Sequence, residues 1–170
     1  MTPLAVSDIT VVSALGHGRD ATLDALQAGR SGLRQVDFET AALGAWLGVV
    51  EGIDDLAWPT ELEPFDCRNN RLAELGLRAD GFADSVRRAR ARFGAQRVGV
   101  FLGTSTAGIL QTELAYRRRD PVTGALPADL HYAQTHNTYS VARYVRQVLD
   151  LRGPAVVVST ACSSSAKVFG

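Results

Sequence analysis

Lysine is nearly absent from this chain of 170 residues, in which Lys167 is the only one. The 18 Lys and Arg residues balance 18 Asp and Glu residues, so there is no net field to attract nucleic acid or an anionic membrane. No run approaches the roughly 18 apolar residues that a membrane-spanning helix needs. Ser7, Asp8 and Thr10 interrupt the first apolar stretch, and no basic segment precedes it, so no signal peptide is predicted. These absences predict a cytoplasmic protein with no nucleic-acid partner and no membrane span.

Cysteine is also scarce, with only Cys67 and Cys162. The two residues are far apart in the sequence and form no metal-ligand spacing, so no metal site is predicted. A disulfide framework is unusual in a reducing compartment, so we expect two separate thiols.

Strands and helices alternate along a chain that is 46% hydrophobic and long enough for one core. Apolar patterns and breakers predict strands near 4–13, 44–50, 97–103 and 154–158, and helices over 19–32, 68–77, 79–93, 104–120 and 138–150, with a loop at 121–137. Strands separated by helices predict an α/β fold with a parallel sheet covered on both faces.

The sequence around Cys162 changes character abruptly. The apolar run Pro154 to Val158 has the length and branching of a buried strand, and a helix can begin at Ser163. A thiol at the start of a helix is favoured as the nucleophilic thiolate, and the first backbone N–H groups can stabilise an oxyanion. The small residues Ser163, Ser164 and Ser165 would leave room for an acyl group. The alternative from spacing alone is a small buried hydrophobic residue, as most cysteines are.

The segment LRGPAVVVSTACSSSAKVFG, which contains Cys162, resembles the nucleophile segment of the β-ketoacyl-acyl-carrier-protein synthases. Three further segments resemble the same family in the same order: ITVVSALGHGRDATLDALQAGRSGL, VGVFLGTSTAGI and THNTYSVARYVRQVLDLRGP. The resemblance extends over nearly the whole chain. It implies a thiolase-like α/β fold, with residues 1–170 forming the amino-terminal half of its layered αβαβα architecture.

The resemblance also implies a reaction. Cys162 would take an acyl group from the phosphopantetheine arm of an acyl carrier protein, and decarboxylation of a malonyl carrier thioester would supply the carbon nucleophile that extends it. No metal or other cofactor is implied, because the phosphopantetheine arrives with the carrier as substrate. The implied partners are the acyl carrier protein and a second subunit, either a copy of this chain or a ketosynthase-like protein, since VGVFLG resembles the strand that pairs across the family's two-fold axis.

Lesser sites follow from the same resemblance. Thr106 falls where family members place a residue that faces the acyl pocket, although packing near a dimer interface explains it equally well. The resemblance also implies a docking site for the acidic carrier, because family members present basic residues to it in the regions that here contain Arg68, Arg71, Arg117, Arg118 and Arg119. An exposed arginine on a helix is more often simply solvated.

The chain departs from the family pattern in its histidines. The family's two histidines and a supporting lysine lie beyond the nucleophile, whereas His17, His131 and His136 precede Cys162 and match none of those positions. We therefore expect the amino-terminal half of a longer protein, which on its own is poorly soluble and at most acylates itself. Two alternatives remain: a non-condensing chain-length partner subunit, which an intact cysteine disfavours, and a cysteine acyltransferase or thioesterase of the same fold.

Overall fold

A computed structural model describes residues 4–37, 42 and 44–170 of the chain. Within these residues the strands form three two-stranded sheets, two antiparallel and one parallel. None of the helices in the described ranges is long and apolar enough to cross a membrane.

Two small hairpins occupy the amino-terminal third. Strands β1 (Val12–Ser13) and β2 (Gly16–His17) pair first, and helix α1 (Arg19–Gln27) follows. Strands β3 (Leu33–Gln35) and β4 (Trp46–Gly48) form the second hairpin. The predicted strand at 4–13 is thus much shorter than expected, and β3 was not predicted, because all of its side chains are exposed and show no alternation.

The middle of the chain is helical, as its sequence predicts. A 3₁₀ segment over Thr60–Phe65 leads into α2 (Arg68–Arg78), and α3 (Phe82–Phe93) follows after a tight turn. Asp80 and Gly81 both have positive φ values in that turn, 57° and 70°. The two left-handed residues separate α2 from α3 and let both helices pack on the same core.

The parallel unit carries the remaining elements. Strand β5 (Val100–Gly103) precedes α4 (Ile109–Arg117), and a long loop leads to α5 (Ser140–Leu149) and the parallel strand β6 (Ala155–Val158). The core beneath these strands is formed by Leu77, Val100, Ala142, Leu149 and Leu151. The predicted helix at 138–150 is confirmed. The prediction of one parallel sheet holds only for β5 and β6, because the strands predicted near 4–13 and 44–50 pair in antiparallel hairpins.

One face of the β5–β6 pair is open, which corrects the prediction of strands buried on both faces. Val100 is 7% exposed and faces the core, but its neighbour Phe101 is 55% exposed. On β6, Val156 is 43% exposed. Because successive side chains of a strand alternate between faces, the helices cover only the Val100 side, and within the described residues nothing packs fully over the other side.

Candidate active site

Cys162 lies at a sharp junction immediately after β6. The strand ends at Val158, a 3₁₀ turn covers Ala161–Ser163, and the helix α6 (Ser164–Lys167) begins two residues after Cys162. The predicted helix is therefore only one turn long. Cys162 itself is exposed, so the interpretation as a small buried hydrophobic residue does not hold for this chain.

The turn before the thiol is conformationally unusual. Ala161 has a φ of 51°, in the left-handed region that non-glycine residues seldom adopt. Thr160 lies before it in a non-helical conformation, and the Ser163 hydroxyl donates to the Thr160 carbonyl oxygen at 2.9 Å. The chain thus turns sharply between β6 and α6, and Cys162 lies exposed within this turn.

The three serines after the thiol differ from one another. Ser163 and Ser165 are exposed, but Ser164 is only 3% exposed. The Ser164 hydroxyl accepts a hydrogen bond from the Thr160 N–H at 2.9 Å and donates one to the Ala161 carbonyl oxygen at 2.7 Å. Ser164 is therefore packed and bonded, and the prediction that the three small serines leave room for an acyl group stays a prediction.

The ends of β5 and β6 support this junction. Gly103 pairs with Val158, and the Thr104 N–H donates to the Val158 carbonyl oxygen at 3.1 Å. A Cβ on residue 103 would lie 2.5 Å from the carbonyl carbon of Ser164. In the sequence, Gly103 stands within the segment VGVFLGTSTAGI, and nothing in that segment marks it as a contact of Ser164. Its position at the carboxyl end of a predicted parallel strand, where a helix can approach the sheet, was the signal for its role.

Thr106 lies in the loop between β5 and α4. It is exposed, and its carbonyl oxygen accepts a hydrogen bond from the Thr104 hydroxyl at 2.7 Å. The loop is anchored at its far end, where the Gly108 N–H donates to the Thr135 carbonyl oxygen at 2.8 Å. A role for Thr106 in an acyl pocket stays a prediction.

Cys67 is the opposite kind of thiol. It is 1% exposed and immediately precedes α2, with its carbonyl oxygen accepting the Arg71 N–H at 2.9 Å. Burial raises the pKa of the Cys67 thiol, because the thiolate would lose its hydration. Cys67 is therefore a buried packing residue.

The basic residues predicted to dock the carrier fall into two groups. On α2, the Arg71 guanidinium pairs with both carboxylate oxygens of Asp66, at 2.5 and 2.8 Å, and donates to the Asp54 carbonyl oxygen at 2.8 Å. It also lies 5.7 Å from the centre of the Trp58 ring. Arg68 pairs with the Asp54 carboxylate. Arg71 thus connects the preceding loop to α2, and its guanidinium already has hydrogen-bond partners within the chain.

The second group lies at the end of α4. Arg117 and Arg119 are exposed, and Arg118, between them, pairs with Asp129 at 2.9 Å. Arg118 holds the pKa of the Asp129 carboxyl below its usual value through this hydrogen bond. Docking by any of these residues stays a prediction.

The three histidines have local partners or surface positions. His17 is exposed in β2, and His131 lies 3.8 Å from a carboxylate oxygen of Glu63. The Nδ1 atom of His136 is 2.7 Å from the Thr112 hydroxyl. We assign none of them a catalytic role. In the described ranges, no three His, Cys, Asp or Glu side chains cluster in a way that could hold a metal ion.

The chain and its β6–α6 junction are similar to those of a known protein family. The family model described as beta-ketoacyl synthase, N-terminal domain, matches residues 1–170. The chain belongs to the β-ketoacyl synthase family. Its fold is the amino-terminal half of the thiolase-like ketosynthase fold, as the resemblance predicted.

Two solved ketosynthase structures resemble the chain. The ketosynthase ApeO of Xenorhabdus doucetiae, in complex with its chain length factor ApeC, matches with 29% identity and a TM-score of 0.72, covering 95% of this chain and 41% of that one. A beta-ketoacyl synthase from Burkholderia phymatum matches with 26% identity and a TM-score of 0.65, covering 93% and 39%.

A curated relative is the polyketide synthase ThaG of Burkholderia thailandensis, which is 32% identical over 126 residues. That match covers 71% of this chain and 2% of the polyketide synthase. The chain thus spans about two-fifths of the matched ketosynthase structures and a very small part of this relative.

Proposed function

We propose that this ketosynthase chain accepts an acyl group on Cys162 as the first half of a β-ketoacyl-acyl-carrier-protein synthase reaction. The Cys162 thiolate attacks the carbonyl carbon of a carrier-bound thioester. A new C–S bond forms, the bond to the phosphopantetheine sulfur breaks, and the departing thiolate takes up a proton. The observation that carries the proposal is the exposed thiol at the β6–α6 junction in a chain of this family.

The second half of the proposed reaction is decarboxylative condensation with a malonyl carrier thioester. The resemblance assigns this step to two histidines and a lysine, and His17, His131 and His136 match none of those positions. We therefore propose that condensation uses groups outside these 170 residues. No metal or dissociable cofactor takes part in the proposed chemistry, and phosphopantetheine enters on the carrier.

We further propose a dimer with a ketosynthase-like subunit. Support comes from the match to ApeO, which was solved with a chain length factor. Further support comes from the open face of β5 and β6, where Phe101 and Val156 leave apolar surface that a partner would bury. A role as the non-condensing partner subunit is disfavoured, because Cys162 is present and exposed.

For carrier docking we propose the exposed pair Arg117 and Arg119, because the acidic carrier needs accessible cations. The Arg118 guanidinium is paired with the Asp129 carboxylate, and the guanidinium of Arg71 is paired with Asp66. The docking surface proposed here is therefore the end of α4 rather than α2.

Intact-protein mass measurement after incubation with an acyl-carrier thioester tests the proposal. Wild type and Cys67→Ala should each gain the mass of one acyl group, while Cys162→Ala should gain none. Absence of acylation in wild type, or acylation of Cys162→Ala, would contradict it. Rapid loss of the acyl group to water in the absence of malonyl carrier would instead favour the thioesterase alternative.

A further inference from the structure

The hydroxyl of Ser164 spans the strained turn that carries the thiol. Ser164 is 3% exposed, and its Oγ atom accepts from the Thr160 N–H at 2.9 Å and donates to the Ala161 carbonyl oxygen at 2.7 Å. The Thr160 N–H lies in the peptide group before Thr160, and the Ala161 carbonyl lies in the peptide group after Ala161. A single side chain therefore holds both ends of the two-residue segment Thr160–Ala161, which contains the residue with the left-handed conformation.

The conformation of Ala161 determines where Cys162 lies. A φ of 51° brings the Cβ of an L-residue close to its own backbone, so the conformation persists only where neighbouring contacts hold it. Cys162 is the next residue, and the direction in which the chain leaves Ala161 sets the position of its sulfur. Relaxation of Ala161 to an ordinary φ would turn the thiol away.

Ser164 is itself fixed from the opposite side by the sheet. Gly103 approaches the Ser164 backbone so closely that a Cβ would lie 2.5 Å from the Ser164 carbonyl oxygen and 2.6 Å from the Ser165 Cα. The hydroxyl that holds the turn is thus attached to a backbone that rests on the end of β5. This arrangement connects the position of Cys162 to the parallel sheet.

We propose that Ser164 is a positioning residue for acyl transfer: its buried hydroxyl holds Ala161 left-handed and so directs the Cys162 sulfur toward the incoming thioester. The inference rests on the proposed function. Ser164 forms and breaks no bond with the substrate. Its effect is on the geometry with which the sulfur meets the carbonyl carbon, to which rates of covalent steps are sensitive.

Two rates measured on Ser164→Ala and Ser165→Ala test this inference. Ser165 is the matched control, because it is exposed, adjacent and of the same type, and within the described chain its hydroxyl makes no hydrogen bond. The first rate is acylation of Cys162 by a short acyl N-acetylcysteamine thioester. The second is alkylation by iodoacetamide, which reaches an exposed thiol from many directions.

We expect Ser164→Ala to lower the acylation rate by about tenfold or more, since small displacements in a reacting pair cost up to about a hundredfold. Alkylation should stay close to wild type, and Ser165→Ala should match wild type in both rates. Equal acylation rates in Ser164→Ala and wild type would overturn the positioning role. A parallel fall of acylation and alkylation would also overturn it, because that pattern indicates a general structural loss.

Replacing Ala161 in the same background provides a rescue. Glycine adopts positive φ without a Cβ clash, so Ala161→Gly combined with Ser164→Ala should be acylated faster than Ser164→Ala alone. If Ser164→Ala fails to fold, the double variant should still fold, because glycine accepts the positive φ without the hydroxyl; failure of the double variant to fold would overturn the role of the hydroxyl. Wild type that is alkylated but never acylated would refute the proposed function itself, and the positioning role with it.

Discussion

Gly103 ends β5 directly against Ser164, so that a Cβ at position 103 would lie 2.5 Å from both the carbonyl carbon and the carbonyl oxygen of Ser164. No real Cβ contact is that short, and the atoms in the way belong to backbone, which cannot rotate aside. The absence of a side chain at Gly103 is therefore what lets α6 begin at the end of the sheet and places the preceding Cys162 at the surface.

Gly103→Ala should displace α6 and destabilise the chain. We expect a loss of about 1–3 kcal/mol in the free energy of unfolding, the usual cost of forcing an extra methyl group into a packed site. Urea denaturation gives this value. The matched control is Gly76→Ala inside α2, where nothing lies within 4 Å of the added Cβ. That change should stabilise the chain by about 0.5–1 kcal/mol. Equal stability of Gly103→Ala and wild type would contradict the close contact.

The sequence predicted the parts of the fold whose apolar pattern reflects burial. The helix α5 has apolar residues at i, i+3 and i+4, and β5 and β6 are continuous apolar runs, so these elements and their parallel pairing were predictable. The hairpin strand β3 was not, because all its side chains are exposed. The open side of β5, with Phe101, was also not predictable, because an apolar run does not tell one covered face from two.

The site was predictable only in part, for a similar reason. A strand followed by a helix start indicated the position of Cys162. Three identical serines follow, and nothing in their type distinguishes the buried Ser164 from its exposed neighbours; the distinction comes from Gly103, which is distant in sequence. Likewise the residue type of Arg71 suggested a surface cation, but Asp66 and Trp58 surround it in the folded chain.

The two thiols should react at very different rates. Cys162 is exposed, whereas Cys67 is buried and has a raised pKa because burial disfavours its thiolate. With a thiol reagent at about pH 8, near the ordinary cysteine pKa of about 8.5, we expect one equivalent to react quickly and the second only on unfolding in urea. Cys162→Ala should remove the fast phase and Cys67→Ala the slow one. Fast labelling of Cys67 in the native chain would contradict its burial.

Asp8 attaches the amino-terminal segment to Ser85 on α3, and we expect acid to weaken this attachment. A hydrogen bond from the Ser85 hydroxyl, with further help from the Ile9 N–H and Arg19, lowers the pKa of the Asp8 carboxyl, against a smaller opposing effect of desolvation. A group whose pKa is lower in the folded state stabilises the fold above its unfolded pKa, about 3.9 for Asp. That contribution is lost as the pH falls through the folded value.

Asp8→Asn should therefore be less stable than wild type at pH 7, and the difference should shrink as the pH falls below about 4. Urea denaturation across this pH range measures it. Ser85→Ala removes the main donor and should show the same trend. A difference between wild type and Asp8→Asn that does not change with pH would indicate that the carboxylate charge plays no part.

Charge reversal at Arg117 and Arg119 tests where the acyl carrier docks. Exposed ion pairs contribute roughly 0.2–1 kcal/mol each, so the double reversal should weaken carrier binding by roughly twofold to thirtyfold at low salt. The effect should largely vanish at about 1 M salt, where the Debye length is about 3 Å. Arg71 is unsuited to this test, because an acidic residue there would face Asp66 and disturb folding.

The matched control for docking is Arg92→Glu, which makes the same kind of charge change at an exposed position on α3. Binding of a fluorescently labelled acyl carrier protein, followed by anisotropy, should be little affected by it. If Arg92→Glu weakens binding as much per charge as the reversals at Arg117 and Arg119, the attraction is a general effect of net charge. In that case the end of α4 is not the docking surface, because a local contact must depend on where the charge lies and not only on its sign.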